Sequence, residues 1–361
     1  MTGHFRNQAP GEGYGESPRS FIPVGELPPW APDLACPACG RRMTWASAPG
    51  NPGDGRGVSL DCTGCGASYG TAEGLPDLTP PGLEEMKAQE RSHYTEKLDY
   101  YLHMHSTWHR SPFYRHYHRA FLELFHPLPP GSLILECGCG LGHDGLELLR
   151  RGYRLVATDI SPGQLREARE LHLREGFAHS SLHLLADAEK LPFADTSFHG
   201  VLMVASLHHL PEPLQALREA HRVLKPGGVL VLGTEPNRWQ SRTIYPLGKL
   251  ALQAVERLTG RKVLDDEMVS EADKETEGFS RGELESLLRR AGFGEYRLLP
   301  AGYLSAALFF LCTELSQRLP FNLKLYPLEA AFTLVDDRLG ALPLLRRFPW
   351  HWNAFARKAY R

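Results

Sequence analysis

The 361-residue sequence has no excess of either charge: 40 Lys and Arg stand against 42 Asp and Glu, a formal net charge of -2. It lacks the positive field that holds proteins on phosphate backbones, which disfavours nucleic acid as the partner. Long hydrophobic runs are also missing. The longest apolar stretch, Leu298 to Cys312, is interrupted by Pro300 and Gly302 and falls short of the roughly 20 residues that cross a bilayer. No basic start followed by an apolar run opens the chain, so no signal peptide is predicted, and the Gly, Pro, Ser and Asn content predicts an unstructured tail over residues 1–33. There is no even set of cysteines to make a disulfide framework. The seven are Cys36, Cys39, Cys62, Cys65, Cys137, Cys139 and Cys312, a pattern of metal ligation in a reducing compartment, so a soluble, cytoplasmic protein is expected.

What is present divides into two units. A hydrophobic fraction of 42% over this length supports a large core with a smaller module beside it. The smaller unit, residues 34–80, contains Cys36-Pro-Ala-Cys39 and Cys62-Thr-Gly-Cys65, each followed by glycine, at Gly40 and Gly66. A C-x-x-C turn aims two thiolates at one point, and two such turns make a tetrahedral site for structural Zn2+ with Cys36, Cys39, Cys62 and Cys65 as ligands. The competing readings are a redox pair or unligated thiols. The glycine-rich spacer at 48–57 has no core-forming residues, and such a module needs its metal to fold. The run from Cys62 to Leu78 resembles the zinc-ribbon activator subunit of tRNA and release-factor methyltransferases, here joined to the rest of the chain.

The large unit begins after an aromatic and His-rich stretch, Tyr94 to Phe125, within a segment of helices expected over residues 81–130. Ser132 to Cys137 is a short apolar run ending in an acid. Gly138-Cys-Gly-Leu-Gly142 follows, then Leu146, Leu148 and Leu149 at helical spacing. That is a strand, a glycine loop and a helix whose first amides suit a nucleotide-like ligand. A dinucleotide fingerprint needs glycine at 143, where His143 stands, so the phosphate reading weakens. A second strand ends in Asp159, placed to accept from a ribose diol, and a third in Asp187-Ala188, placed for an adenine amine. Further strands at 200–205 and 228–234 flank a helix at 213–224. This alternation predicts an α/β, Rossmann-like doubly wound parallel sheet with its site at the strand ends.

Five segments in order, Glu136–Gly142, Ala157–Ser161, Ala186–Phe193, Leu207–Leu210 and Arg222–Gly228, together resemble class I S-adenosylmethionine (SAM)-dependent methyltransferases of the ubiquinone/menaquinone-methyltransferase-like branch. The resemblance implies a seven-stranded sheet over residues 131–361. It places Gly138, Gly140 and Gly142 under the methionine portion of SAM, Glu136 near its amino group, Asp159 on the ribose hydroxyls, Asp187 and Ala188 at the adenine, and Ile160 and Ala205 beside the cofactor. The sequence departs from the family where Asp usually follows Phe198 and His199 stands instead, a position expected to be peripheral.

A helix is predicted over 280–291 with Ser280 as its N-cap, leading into a strand at 296–299, and the segment from His351 to Ala359 resembles the family's closing antiparallel strand. Two segments, 235–278 and 301–350, then become insertions at the substrate face. The second, rich in Leu and Phe, is expected to form a helical cap with its own core, an apolar pocket, or a peripheral membrane contact. His208 and His209, just past the fourth strand, are the candidate catalytic bases, with a structural role in the loop as the alternative. The expected activity is methyl transfer from SAM to a small-molecule or lipid-like acceptor. An RNA methyltransferase and a non-catalytic SAM-binding regulatory protein are the runners-up.

Overall fold

The computed structural model describes residues 27–47, 58–244, 277–318 and 323–360, with isolated positions 246, 250, 253, 257 and 270 between them. The tail at 1–26, the spacer at 48–57 and most of the insertion at 235–278 lie outside the described residues.

The large unit is built on a seven-stranded sheet. Its strands are β6 (Leu133–Cys137), β7 (Arg154–Asp159), β8 (Ser181–Leu185), β9 (Phe198–Val204), β10 (Leu224–Pro236), β11 (Glu295–Ala301) and β12 (His351–Arg357), in the spatial order β11-β12-β10-β9-β6-β7-β8. Strands β8, β7, β6, β9 and β10 run parallel, while β12 inserts antiparallel between β10 and β11. The central strands are apolar on both faces because helices cover both. Every residue of β6 and β8 is buried. The chain leaves β6 toward β7 and β8 on one side and crosses to β9 and β10 on the other, so a crevice opens at the carboxyl ends of β6 and β9.

Local chemistry explains the helices around it. Ser161 and Ser280 cap α5 (Pro162–Arg174) and α8 (Arg281–Arg290), the latter as a full capping box with Glu283. The predicted strands and helices of this unit all form, with ends shifted by a few residues. His199 is the second residue of β9, where its Nδ1 accepts the Leu133 N–H at 3.0 Å and its Nε2 lies 3.1 Å from the Lys225 ammonium. The imidazole thus occupies the usual place of Asp at the amino end of the sheet, away from the crevice.

The small unit carries β1 (Met43–Ser47), β2 (Val58–Cys62) and β3 (Ser68–Tyr69) in one antiparallel sheet, followed by a short hairpin of β4 (Thr71–Ala72) and β5 (Leu75–Pro76). It is not a separate bead. Leu34 bridges Phe193, Ala35 N–H donates to the Pro192 carbonyl at 3.0 Å, and Leu78 N–H donates to the Leu185 carbonyl at 2.9 Å. The segment after the cysteines therefore covers the β8 edge, which would otherwise present unpaired amides and carbonyls. The tail expected to be unstructured through residue 33 is ordered at its end for the same reason. Leu27, Trp30 and Ala31 pack on the shared core, and the Trp30 indole donates to the His179 carbonyl at 3.0 Å.

Three helices lie between the units and form one wall of the crevice: α1 (Glu85–Glu96), α2 (Leu98–Trp108) and α3 (Pro112–Leu122). The wall thus begins at Glu85, before the aromatic and His-rich stretch that opens at Tyr94. Between β11 and β12 the insertion folds as α9 (Leu304–Arg318) and α10 (Tyr326–Ala341), which pack on α3. Among the described residues, no helix is long and apolar enough to cross a membrane.

Candidate active site and cysteine cluster

The four cysteines of the small unit meet. Their Sγ atoms all lie within 4.8 Å of one another, with Cys36 and Cys65 3.8 Å apart and Cys39 and Cys62 3.4 Å apart. Thiolates around one Zn2+, at about 2.3 Å each, stand about 3.8 Å apart, whereas a disulfide needs about 2.05 Å. The backbone amides of Gly64 and Cys65 point at Cys62 Sγ, at 3.3 and 3.4 Å. Those amides, Cys65 first, pull the Cys62 thiol down to about 6, toward the thiolate form that a metal needs. The donor set and spacing fit zinc.

The crevice is one cavity of about 1160 Å³. Glu136, Gly138, Gly140, Gly142, Asp159, Ile160, Asp187, Ala188, Ala205, His208 and His209 all line it, so the fold gathers every residue that the sequence nominated for the cofactor and the chemistry. The glycine loop works partly by packing. A side chain at Gly142, whose φ is +78°, would put a Cβ 2.7 Å from that of Ala168 on α5, so this glycine brings α4 (His143–Arg150) against α5 and the sheet. Ala205 also has a positive φ, +45°, at the end of β9, a strained turn of the kind that clusters at ligand sites.

Asp159 is held ready. Its Oδ2 accepts the Gly140 N–H and its Oδ1 the Ser161 N–H, each at 2.8 Å. Asp187 is similarly gripped, by the Glu189 N–H at 2.9 Å and the Lys87 ammonium at 2.9 Å. Glu136 differs. It is buried, its Oε2 has no hydrogen-bond partner among the described residues, and burial, then Asp144, then Asp159 push its carboxyl well above the ordinary range against a smaller lowering by the Gly145 backbone N–H. A buried orphan carboxylate oxygen beside two other acids is a receptor for a cation. This observation fits the methionine ammonium of SAM.

His208 and His209 have different neighbours. His208 is buried, with Nδ1 2.9 Å from Glu235 Oε2, and Glu235 also accepts the backbone N–H of Ser206 and Leu207. His209 Nδ1 lies 3.1 Å from Glu90 on α1, and the Tyr94 hydroxyl is 3.5 Å from its Nε2.

Sequence reasoning missed Lys87 and Glu90. They fall with Tyr94 on one face of α1 at i, i+3 and i+7, a spacing that was legible. Burial alone would depress the Lys87 ammonium, but hydrogen bonds from it to Glu189 and Asp187 outweigh that and raise it. Farther along the same wall, His105 of α2 clusters with His109 and with His143 at the start of α4, the His109 and His143 ring centroids being 3.6 Å apart, and His351 sits beyond them with Phe113 and Phe310. His105 Nδ1, His109 Nε2 and His351 Nδ1 are buried without a hydrogen-bond partner among the described residues.

Desolvation depresses His105 to about 3, His109 to about 4 and His351 to about 3. They are uncharged at neutral pH. Their folded values lie below the ordinary 6.5, so the unfolded chain takes up protons first as pH falls. Stability present above pH ~6.5 is therefore lost as pH drops toward ~4. Melting temperature measured across that window is expected to fall, and His105→Phe to make the slope shallower. An unchanged slope in that variant removes His105 from the account.

The family described as Methyltransferase domain matches residues 135–232. The chain is 38% identical over 103 residues to the methyltransferase GfsG of Streptomyces halstedii, a match covering 28% of this chain and 37% of that protein. It is 34% identical over 185 residues to demethylmenaquinone methyltransferase of Clavibacter sepedonicus, covering 48% of this chain and 70% of that protein. A third relative, 2-methyl-6-phytyl-1,4-hydroquinone methyltransferase of a Synechocystis strain, is 37% identical over 29% of this chain and 32% of its own length. The chain thus spans well under half the length of GfsG and of the Synechocystis protein. Among solved structures, phosphoethanolamine N-methyltransferase 2 of Haemonchus contortus in complex with S-adenosyl-L-methionine superposes with a TM-score of 0.51 at 18% identity, over 79% of this chain and 62% of that one. That likeness shows a shared fold.

Proposed function

This chain belongs to the class I SAM-dependent methyltransferases, and on that premise we propose that it is an enzyme that methylates a small, uncharged acceptor of the quinol or lipid type. The supporting observation is the lining of the cavity. Beside its acids stand Trp108, Phe113, Phe309, Phe310 and the neutral imidazoles of His105 and His351. Its volume of about 1160 Å³ exceeds the roughly 300–1,000 Å³ of a usual single-ligand pocket, leaving room for an acceptor beside a cofactor. Two of the relatives carry names of quinone-type acceptors, which supports the same class.

When bound, SAM supplies an electrophilic methyl group on a sulfonium. Glu136 would receive its ammonium, Asp159 would accept from the ribose hydroxyls, and Asp187, steadied by Lys87, would accept from the adenine amine, with Ile160 and Ala188 beside it. The walls position the acceptor in line and exclude water. We assign His208 the acceptor's proton. The contact of its Nδ1 with Glu235 orients the ring, and a neutral ring that donates from Nδ1 carries its lone pair on Nε2. His209 then positions α1 through Glu90.

RNA remains the second reading, carried by the zinc-type module. The cavity lining argues against it, since Glu90, Glu136, Asp144, Asp159, Asp187 and Glu277 stand against Lys87 there. The test is incubation with methyl-labelled SAM and, separately, lipid extract and total RNA. Label in the organic phase is expected, and label in RNA alone would sink the proposal. His208→Gln is expected to bind SAM as wild type does while kcat falls about 10²–10⁴-fold and loses its rise with pH. A pH profile parallel to wild type would make His208 structural.

A further inference from the structure

The cap helix α10 is inside out. A helix on a water-soluble surface turns its apolar stripe inward and its polar face outward. Here Glu329, Thr333 and Asp336 are buried, while Leu328, Leu334 and Val335 are 44%, 62% and 38% exposed. The inward acids have work to do. Asp336 accepts the backbone N–H of Tyr303, Leu304 and Ser305, capping α9, and Glu329 accepts the Phe113 N–H and the Ser111 hydroxyl at the start of α3. That explains why acids point in. It does not explain the leucines outside.

The apolar surface continues beyond the helix. Leu342 and Leu344 are 49% and 68% exposed on the following segment, and Leu311 is 55% exposed on α9. One scattered exposed leucine is ordinary, but a face assembled from three neighbouring segments marks a contact surface. The charges at its rim are one-sided. Lys324, Arg338, Arg346 and Arg347 are exposed, against Asp337, which pairs with His116, among the described side chains of residues 301–350. A chain with a net charge of -2 thus carries four exposed cations on the same insertion as these exposed leucines.

We propose that the α9–α10 face docks on an anionic lipid bilayer, with the leucines entering the headgroup boundary and the Lys and Arg side chains meeting the lipid phosphates. Apolar insertion combined with basic contacts is the pairing that holds peripheral proteins on such surfaces. A second copy of the chain fits less well, because a two-fold contact through this face would bring its cations against themselves. The placement also suits the cavity. Phe309 and Phe310 line it from α9, the helix that exposes Leu311, so the cap would stand between the cavity and the lipid. The docking surface stands independently of which acceptor the site takes.

The full-length protein would be sedimented with vesicles of phosphatidylcholine alone and of phosphatidylcholine with phosphatidylglycerol, at low and high salt. Binding to the anionic vesicles, weakened by salt, is expected. The double variants Leu334→Glu/Leu344→Glu and Arg346→Glu/Arg347→Glu are each expected to bind at least about tenfold more weakly, while titration with SAM shows wild-type affinity and hence an intact fold. Failure of the wild type to bind anionic vesicles overturns the proposal, as does equal binding by both variants. A dimer in light scattering that the leucine variant dissociates would assign the face to a second copy instead.

Discussion

Replacing Cys36 and Cys62 together by serine is expected to remove one equivalent of zinc and to lower the melting temperature of the whole chain by about 10 °C or more. The small unit has strands of five, five and two residues and too little core to stand without its metal. Structural zinc contributes roughly 10–16 kcal/mol of folding free energy in small modules. The loss would not stay local. Leu34, Leu60, Tyr69 and Leu78 belong to the same buried cluster as Leu182, Leu184 and Phe193 of the catalytic unit, and each large side chain returned to water costs about 1.5–3 kcal/mol. Several such losses rival the whole stability of a domain, and a domain of this size loses about 2–4 °C per kcal/mol. The bared β8 edge would also invite aggregation. Metal analysis with differential scanning calorimetry decides the matter. Full zinc content in the double variant would refute the ligand assignment, and an unchanged transition in zinc-free protein would refute the coupling.

Glu136→Gln is expected to act in opposite directions on the empty and the liganded protein. With burial, Asp144 and Asp159 all raising its carboxyl, the ionised form is disfavoured in the empty fold, so the neutral amide should stabilise that state at neutral pH. The same substitution removes the charge that meets the cofactor ammonium. A hydrogen bond to a charged group is worth about 1.5–3 kcal/mol, so SAM affinity should drop roughly 10- to 100-fold. The sign of the pH effect follows. Binding requires the ionised carboxylate, so wild-type affinity rises as pH rises through the raised value, and at a pH below that value binding releases a proton. Calorimetry in buffers of different ionisation enthalpy reads that proton, which Glu136→Gln should lose. Equal affinity and equal proton release in the variant would show that Glu136 faces something other than the ammonium.

The two effects differ in how far the sequence could announce them. The cysteine set was legible because each C-x-x-C turn is a local structure that aims its own thiolates, and only the meeting of two turns had to be supplied by folding. Glu136 was legible as the acid after an apolar strand. Its missing partner, which gives it its chemistry, was not, because hydrogen-bond satisfaction depends on what packs around the side chain. The same holds for His208. Its position past β9 was readable, but its hold on Glu235 was not, since that residue had been read as the start of an insertion.

By itself, then, the sequence determined the α/β alternation from Leu133 to Pro236, the glycine loop, the acids at the ends of β7 and β8, the cysteine pairs and the capped helix at Ser280. All of these arise from periodicity, turns and caps acting over a few residues. Tertiary structure alone decided that Lys87 reaches Asp187 across 100 positions, that the cysteine unit seals the β8 edge, and that α10 turns its acids inward and its leucines out. Such outcomes depend on which surfaces meet, and a face that is apolar by composition carries no local mark of whether it will be covered by protein or left exposed.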